Sequence, residues 1–158
     1  MALARELYRH RQFGWLIMGG TCGPLVLLFV LLPHATGRAS EVLPQALVPA
    51  LFGLGVCLVL LFGALEVCVT TDALEWRFGV GLIRGRVPLA DITAIKAVRT
   101  RVANGWGIRR TARGWLYNVS GFDALEVEQK SGKVVLIGTN DLHTLRQALA
   151  HAIDHYSS

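Results

Sequence analysis

Two long apolar runs constrain the fold of this chain more than any other feature of the sequence. Between Phe13 and Leu65 the only charged residues are Arg38 and Glu41, whereas every later stretch carries charge. The runs cover residues 13–32 and 46–65, and each has about 20 residues, which is enough for a helix to cross a hydrocarbon core. The linker between them is short, polar and rich in turn residues. The pattern predicts a hairpin of two transmembrane helices over residues 13–65.

The distribution of basic residues predicts the orientation of this hairpin. Residues 1–12 form a basic segment with three arginines, and three more follow the second run, whereas the linker contains only Arg38. The six flanking arginines are Arg5, Arg9, Arg11, Arg77, Arg84 and Arg86. Because cytoplasmic segments of membrane proteins are enriched in Lys and Arg, we expect both termini on the cytoplasmic side.

Small residues recur within the two predicted transmembrane helices. Gly19 and Gly23 have the spacing that lets helix backbones approach closely, and Gly53 and Gly55 lie in the second run. These glycines are expected to pack the two helices against each other, or to dock the hairpin on another subunit or a second copy. Neither run contains an ionisable residue in its interior, which argues against an ion pathway, a proton relay or an intramembrane catalytic site.

From Leu65 onward the hydrophobic pattern changes to a period of two, which is typical of half-buried strands. Ser131 and Gly132 suit a tight hairpin turn between two of these strands. After Thr139 the period becomes helical, and the apolar residues form one stripe. The pattern predicts a final helix and seven short antiparallel strands, at residues 65–71, 74–78, 82–88, 92–99, 115–119, 124–130 and 133–138.

Seven strands followed by one amphipathic helix are the element order of a pleckstrin-homology-like (PH-like) barrel. The chain resembles small bacterial membrane proteins that have two N-terminal transmembrane helices and a C-terminal bacterial PH-like domain. The segments that carry the resemblance are Gly105–Arg110, Gly114–Gly121 and Ile137–Thr139. The resemblance implies a multi-pass protein of the inner membrane, with residues 66–158 forming a cytoplasmic all-β PH-like barrel that its last helix caps. PH-like barrels bind lipids, peptides or proteins.

The richest group of candidate binding residues combines arginines with aromatic side chains. Arginine forks bind phosphate oxygens in a bidentate manner, and Trp or Tyr beside them suits headgroup depth. Beside a membrane, such a loop is expected to contact anionic headgroups; otherwise its tryptophans fill the barrel edge and its arginines are solvated. The group consists of Arg99, Arg101, Trp106, Arg109, Arg110, Arg113, Trp115 and Tyr117.

The sequence therefore predicts a non-enzymatic interaction module, anchored in the membrane, that binds anionic lipid headgroups or a protein partner. The alternative is an accessory or assembly subunit of a larger membrane complex, docking through its glycine-lined helices. The net charge of +5 is consistent with either, and nucleic acid is not expected to be a partner.

No catalytic motif, cofactor site or metal site is predicted. The sequence has no Walker loop, HExxH motif or local nucleophile–base pair. Three histidines, His143, His151 and His155, lie on the polar face of the last helix, where a pair at i and i+4 could hold zinc. We expect these histidines to be solvated, because no further ligand is visibly placed to complete a metal site.

Overall fold

The computed structural model describes residues 5–31, 47–100 and 107–157. These residues form two β-sheets, a pair of helices near the N-terminus, and a helix at the C-terminal end. The first sheet, sheet 1, is antiparallel and has the strand order β1-β2-β3-β4. Its strands are β1 (Glu6–Phe13), β2 (Ala64–Thr70), β3 (Ala73–Phe78) and β4 (Ile83–Pro88).

The second sheet, sheet 2, has the strand order β5-β8-β9-β7-β6. A 3₁₀ turn at Leu89–Asp91 connects the two sheets. The strands of sheet 2 are β5 (Ile92–Arg99), β6 (Gly107–Arg110), β7 (Trp115–Asn118), β8 (Asp123–Gln129) and β9 (Val134–Gly138). Strands β7 and β9 are parallel, and the other pairs are antiparallel.

The two N-terminal helices are inserted between two neighbouring strands of sheet 1. Helix α1 (Trp15–Leu31) follows β1, and helix α2 (Leu47–Phe62) precedes β2. The base of this insertion is closed by strand pairing, because Phe13 lies opposite Ala64 in the β1–β2 ladder. Just inside it, the N–H of Gly14 donates a hydrogen bond of 2.9 Å to the carbonyl of Gly63.

The prediction of transmembrane helices is wrong for the described part of the chain. Neither α1 nor α2 is long and apolar enough to cross a membrane. They have 17 and 16 residues, which at 1.5 Å per residue gives about 24–26 Å, against about 30 Å for a hydrocarbon core. The apolar runs overestimated the helices because Phe13 ends β1, while Ala64 and Leu65 begin β2. The same finding overturns the predicted location, which was a multi-pass protein of the inner membrane with both termini in the cytoplasm.

The fold also departs from the predicted PH-like barrel with seven antiparallel strands. The described residues form nine strands in two sheets, and the additional strands are β1 and β6. Parallel pairing of β7 with β9 contradicts the all-antiparallel prediction. The resemblance to two-helix membrane proteins with a PH-like domain is therefore wrong as a prediction of the fold. The described residues instead form two sheets and a C-terminal helix, α3 (Leu142–Ser157).

The hydrophobic core lies between the inner faces of the two sheets and the apolar side of α3. Alternate residues of β3, such as Leu74 and Phe78, point into it, as the period-two pattern predicts. Each fully buried Leu or Phe contributes about 1.5–3 kcal/mol. The largest fully buried side chains of this core include Leu65, Leu74, Phe78, Leu125, Ile137, Leu145 and Leu149.

Strand β1 is held mainly by polar contacts, although Tyr8 also packs against the core. Tyr8 donates a hydrogen bond of 3.2 Å from its hydroxyl to Asp141 Oδ2. The ring of His10 lies with Nε2 2.6 Å from Asn140 Oδ1. Both partners lie in the short connection between β9 and α3, so these bonds tie the first strand to the start of the last helix.

Gln12 makes the most buried of these contacts, with only 2% of its surface exposed. Its Nε2 donates to the carbonyl of Gly138, and its Oε1 accepts from the backbone N–H of Asn140 and the hydroxyl of Ser120. The side chain therefore satisfies three groups from two separate parts of the chain, residues 138–140 and Ser120. Removing it would leave buried polar groups without partners, which is costly.

Candidate functional site

The structure does not assemble the predicted arginine–aromatic group into one site. Arg101 and Trp106 lie outside the described residues. Tyr117 points into the core, where its ring centroid lies 5.1 Å from that of Trp76 and 6.2 Å from that of Phe78. Burial accordingly raises the pKa of the Tyr117 hydroxyl. Tyr117 thus packs against the core.

The remaining members are divided between the two edges of sheet 2. Arg110 lies opposite the exposed Trp115 in the β6–β7 ladder, with Arg109 beside it. Arg99 ends β5 at the opposite edge, four strand spacings away, or roughly 19 Å along the sheet. Arg113 is engaged by the carboxylate of Glu126, with 3.2 Å between Nη1 and Oε2. Among the described members, only Arg110 and Trp115 are therefore neighbours on one face of the sheet, since Arg109 points to the other face.

The glycines predicted to pack the helices have different surroundings. A Cβ at Gly55 would overlap the side chain of Leu25, so Gly55 allows close contact between α1 and α2. At Gly19, Gly23 and Gly53 a Cβ would meet no described atom within 4 Å. Packing within the hairpin thus explains one of the four glycines.

A larger charged surface lies on the outer face of sheet 1, which we name the arginine face. Inward residues of these strands build the core, so the alternate residues form cross-strand rows on the outside. The ladders place two rows of four side chains on this face. One row is Arg11, Glu66, Arg77 and Arg84, and the other is Arg9, Cys68, Glu75 and Arg86.

Ion pairs organise most of the arginine face. Glu66 pairs with two arginines, one from each row: its Oε1 lies 2.8 Å from Arg77 Nη2 and 3.5 Å from Arg9 Nε. Glu75 pairs with Arg86 at 3.4 Å. The arginine side chains remain more than half exposed, so each pair is worth little by itself. The pairs hold the guanidinium groups in place while leaving their outer donors open to solvent.

One position on this face has an electrostatic conflict. Arg84 lies directly opposite Arg77 in the β3–β4 ladder, and like charges in that arrangement destabilise a sheet. The side chain of Arg84 is exposed and makes no hydrogen bond or ion pair with any described residue. The guanidinium of Arg84 is therefore free to bind an anion from solution.

A cavity of about 480 Å³ opens on the arginine face. Four arginines and two glutamates line it, together with Cys68, so its charged groups are predominantly positive. Trp76 and Gly85 also line the cavity, and the absence of a side chain at Gly85 leaves room for the indole ring of its cross-strand neighbour. Volumes in this range are typical of small-molecule sites. The lining arginines are Arg9, Arg77, Arg84 and Arg86.

Two further groups at this site bear on its chemistry. Trp76 Nε1 is the one buried side-chain polar atom of the described residues that has no hydrogen-bond partner. Burial raises the pKa of the Cys68 thiol, and the carboxylate of Glu6 raises it further. A raised pKa keeps the thiol protonated, which is the opposite of what an activated nucleophile requires. Cys68 is therefore not poised as a nucleophile, and the cationic groups that line the cavity are its arginines.

The sequence contained a partial signal for this face. Arg77, Arg84 and Arg86 lie close together in two predicted strands, but together with Arg9 and Arg11 they predict only the orientation of the two apolar runs. The face could not be completed because residues 6–13 were not predicted to be a strand. With β1 in place, the same alternation puts Arg9 and Arg11 beside Cys68 and Glu66.

Comparison with protein-family models, with curated proteins and with solved structures found no match to this chain in any of the three. The proposals below therefore rest on the geometry and chemistry of the described residues.

Proposed function

We propose that this chain is a non-catalytic binding module that takes a phosphate-bearing anionic ligand on its arginine face. The observation that carries the proposal is Arg84, which faces Arg77 across the β3–β4 ladder and has no counter-charge among the described residues. Both arginines line the same cavity.

Arginine is the side chain best suited to hold a phosphate group. Its planar fork presents paired N–H donors that match two phosphate oxygens, and these charge-assisted bonds are stronger than neutral ones. A ligand anion between Arg77 and Arg84 would also replace a repulsive contact by two attractive ones. Affinity on this face is therefore expected to fall as salt concentration rises.

A binding role is favoured over catalysis by the groups that line the cavity. Its potential nucleophile, Cys68, has a raised pKa, and no histidine lines the cavity to act as a base. The carboxylates of Glu66 and Glu75 are engaged by arginines. The two glutamates therefore hold the arginines in position, and we do not assign them a role as general acid or base.

A phosphate group can reach this face on a lipid headgroup or on a small soluble phosphoester. The two sources share the chemistry that the arginines recognise, and anionic lipid was the partner expected from the sequence. A headgroup presented by a surface would engage several exposed arginines at once, whereas a soluble phosphoester would be limited to the cavity. The two cases therefore predict different responses to vesicles.

Docking through the glycine-lined helices, either to another protein or to a second copy, is less well supported. The space beside Gly55 is already filled by the side chain of Leu25 within the hairpin. The other three glycines are open, and apolar side chains such as Val26 and Phe52 are more than half exposed nearby in sequence. Nothing in the described residues indicates the chemistry of an occupant, whereas the arginine face indicates an anion.

The test is a calorimetric titration of the full-length chain with glycerol 3-phosphate, carried out at low and at high salt concentration. We expect saturable binding that Arg84→Ala weakens at least tenfold and that added salt weakens further. The matched control is Arg109→Ala together with Arg110→Ala, which removes two exposed arginines from β6 and tests the group predicted from the sequence. This control is expected to bind like the unaltered chain.

Vesicles distinguish the two sources of phosphate. Binding to vesicles that contain phosphatidylglycerol, with no binding of glycerol 3-phosphate, would assign the ligand to a lipid surface. Binding of both would assign recognition to the phosphate group itself. If Arg84→Ala leaves binding of both probes unchanged, or if neither probe binds, the proposal is wrong.

A further inference from the structure

The last helix carries two exposed histidines, His151 and His155, whose rings are in direct contact. Residues at positions i and i+4 lie on the same face of a helix, which brings these rings together one turn apart. Their Nε2 atoms are 3.0 Å apart, and their ring centroids are 4.3 Å apart with an interplanar angle of 67°.

This contact means that both Nε2 atoms are directed at one point in space. In a hydrogen bond between two neutral imidazoles, one Nε2 carries the proton and the other offers its lone pair. When the donor ring takes its other neutral tautomer, its proton moves to Nδ1, and both Nε2 atoms then offer lone pairs to the space between them. A metal ion can take that position, since neutral imidazole nitrogen is a common metal ligand.

The separation of the two nitrogens matches what a chelated ion requires. With metal–nitrogen distances of 2.0–2.1 Å, two ligands are about 2.9 Å apart at a right angle and about 3.3 Å apart at the tetrahedral angle. The observed 3.0 Å lies between these values. No rearrangement of the helix is needed to bring the two ligands into range.

We propose that His151 and His155 form a two-imidazole site for a divalent transition-metal ion such as Ni²⁺, Cu²⁺ or Zn²⁺. The described residues contain no group of three or more His, Cys, Asp or Glu side chains placed to hold a metal, so this pair supplies two ligands and water fills the remaining positions. Imidazole suits these ions, whereas Mg²⁺ and Ca²⁺ prefer oxygen ligands. The site is independent of the function proposed for the arginine face.

The test uses the full-length chain without a polyhistidine tag, titrated with NiCl₂ at neutral pH and followed by calorimetry. We expect one Ni²⁺ per chain, with His151→Gln and His155→Gln each weakening binding at least tenfold because each leaves a single imidazole. His143→Gln is the matched control: it removes an exposed histidine from the same helix and is expected to change nothing.

A second readout assigns the bound ion without relying on variants. Ni²⁺ is paramagnetic, so the ring resonances of His151 and His155 should broaden at lower metal concentrations than those of His143. If the chain lacking both histidines binds Ni²⁺ as tightly as the unaltered chain, or if the unaltered chain binds no more tightly than either single variant, the proposal is wrong. Uniform broadening of all histidine resonances would overturn it as well.

Discussion

Arg77 and Arg84 occupy opposite positions of the β3–β4 ladder with their side chains on the same face of sheet 1. Only Arg77 has a counter-charge, the carboxylate of Glu66, at 2.8 Å. A pair of like charges at this position reduces the stability of the sheet in the absence of ligand. This pair of like charges in a solvent-exposed ladder is the feature on which the proposed anion binding rests.

The first prediction concerns the trade between stability and binding at this pair. Arg84→Glu should raise the free energy of unfolding by about 0.5 kcal/mol, because it places opposite charges across the ladder, and should abolish phosphate binding. Urea denaturation measures the first effect and calorimetry the second. The mirror-image control is Glu75→Arg, which puts like charges opposite Arg86 and should lower stability by a similar amount. Lower stability in the Arg84→Glu chain would contradict the prediction.

The second prediction concerns the polar attachment of β1. Gln12→Ala should lower the free energy of unfolding by about 2–4 kcal/mol, because the carbonyl of Gly138 and the N–H of Asn140 lose their buried partner. Denaturation in urea measures this loss. The neighbouring Arg11 points to the opposite, exposed face, so Arg11→Ala should change stability by less than about 0.5 kcal/mol. Equal effects of the two substitutions would show that the Gln12 contacts do not stabilise the fold.

The third prediction tests the close contact between Trp76 and Gly85. A Cβ at position 85 would overlap the indole ring, so Gly85→Ala should destabilise the chain by about 1–3 kcal/mol through displacement of the ring. Thermal unfolding, monitored by tryptophan fluorescence, measures both the loss of stability and the change in the surroundings of the indole ring. The control is Gly19→Ala in α1, where no described atom lies within 4 Å and helix propensity favours alanine by up to about 1 kcal/mol. A Gly85→Ala chain as stable as the original would argue against the contact.

The fourth prediction is a loss of stability at alkaline pH that depends on Tyr8. Burial, followed by the charge of Asp141 and the hydrogen bond to it, raises the pKa of the Tyr8 hydroxyl far above its usual value. Because the unfolded chain ionises this tyrosine near pH 10 while the folded chain keeps it protonated, stability is full below about pH 10 and falls as the pH rises further.

The measurement is the free energy of unfolding between pH 8 and pH 11 for the unaltered chain and for Tyr8→Phe. The decline should be shallower in Tyr8→Phe, while groups such as Cys68 titrate equally in both proteins and cancel in the comparison. Tyr156→Phe is the matched control, since Tyr156 is exposed near the end of α3. Identical slopes for Tyr8→Phe and the unaltered chain would rule out this role for Tyr8.

Alternation of apolar residues predicted the positions of most strands because those strands bury one face in the core. Leu74, Trp76 and Phe78 gave a clear period of two, and β5 has the predicted bounds of Ile92 and Arg99. Strand β1 lacks this signal. Its inward residues are Tyr8, His10 and Gln12, and only Tyr8 packs against the core, while all three form hydrogen bonds. The hydrophobic pattern therefore could not reveal the strand.

Hydropathy alone could not place the ends of the two apolar runs. Leu65 is fully buried by the protein core, yet in the sequence it simply continues the apolar run of α2. A transfer scale assigns the same value to a residue covered by protein and to one covered by lipid. The run was therefore interpreted as one long helix, although its last two residues belong to β2.

The candidate site depended on pairing that is not encoded locally. The two rows of the arginine face exist because β1 pairs with β2 after an interval of about fifty residues, and no local pattern specifies that register. Similarly, parallel pairing of β7 with β9 separates Arg99 from Arg109 at opposite edges of sheet 2. The sequence shows the arginine and aromatic residues of these sites, but it does not show which of them become neighbours in space.

Helices α1 and α2 form an insert between two adjacent strands, and the end of α2 is attached to sheet 1, because Leu60 accepts a hydrogen bond from Val80 and Phe62 packs against Phe78. The hydrogen bond from Gly14 to Gly63 brings the ends of the insert together, so a short turn could join β1 to β2 without changing the register of either strand. Because the entropy cost of closing a loop grows only slowly with its length, the insert is free to lengthen, shorten or be exchanged over evolutionary time. The pairing of the sheets would then be preserved, and the insert would be the part of the chain that best tolerates a change of length.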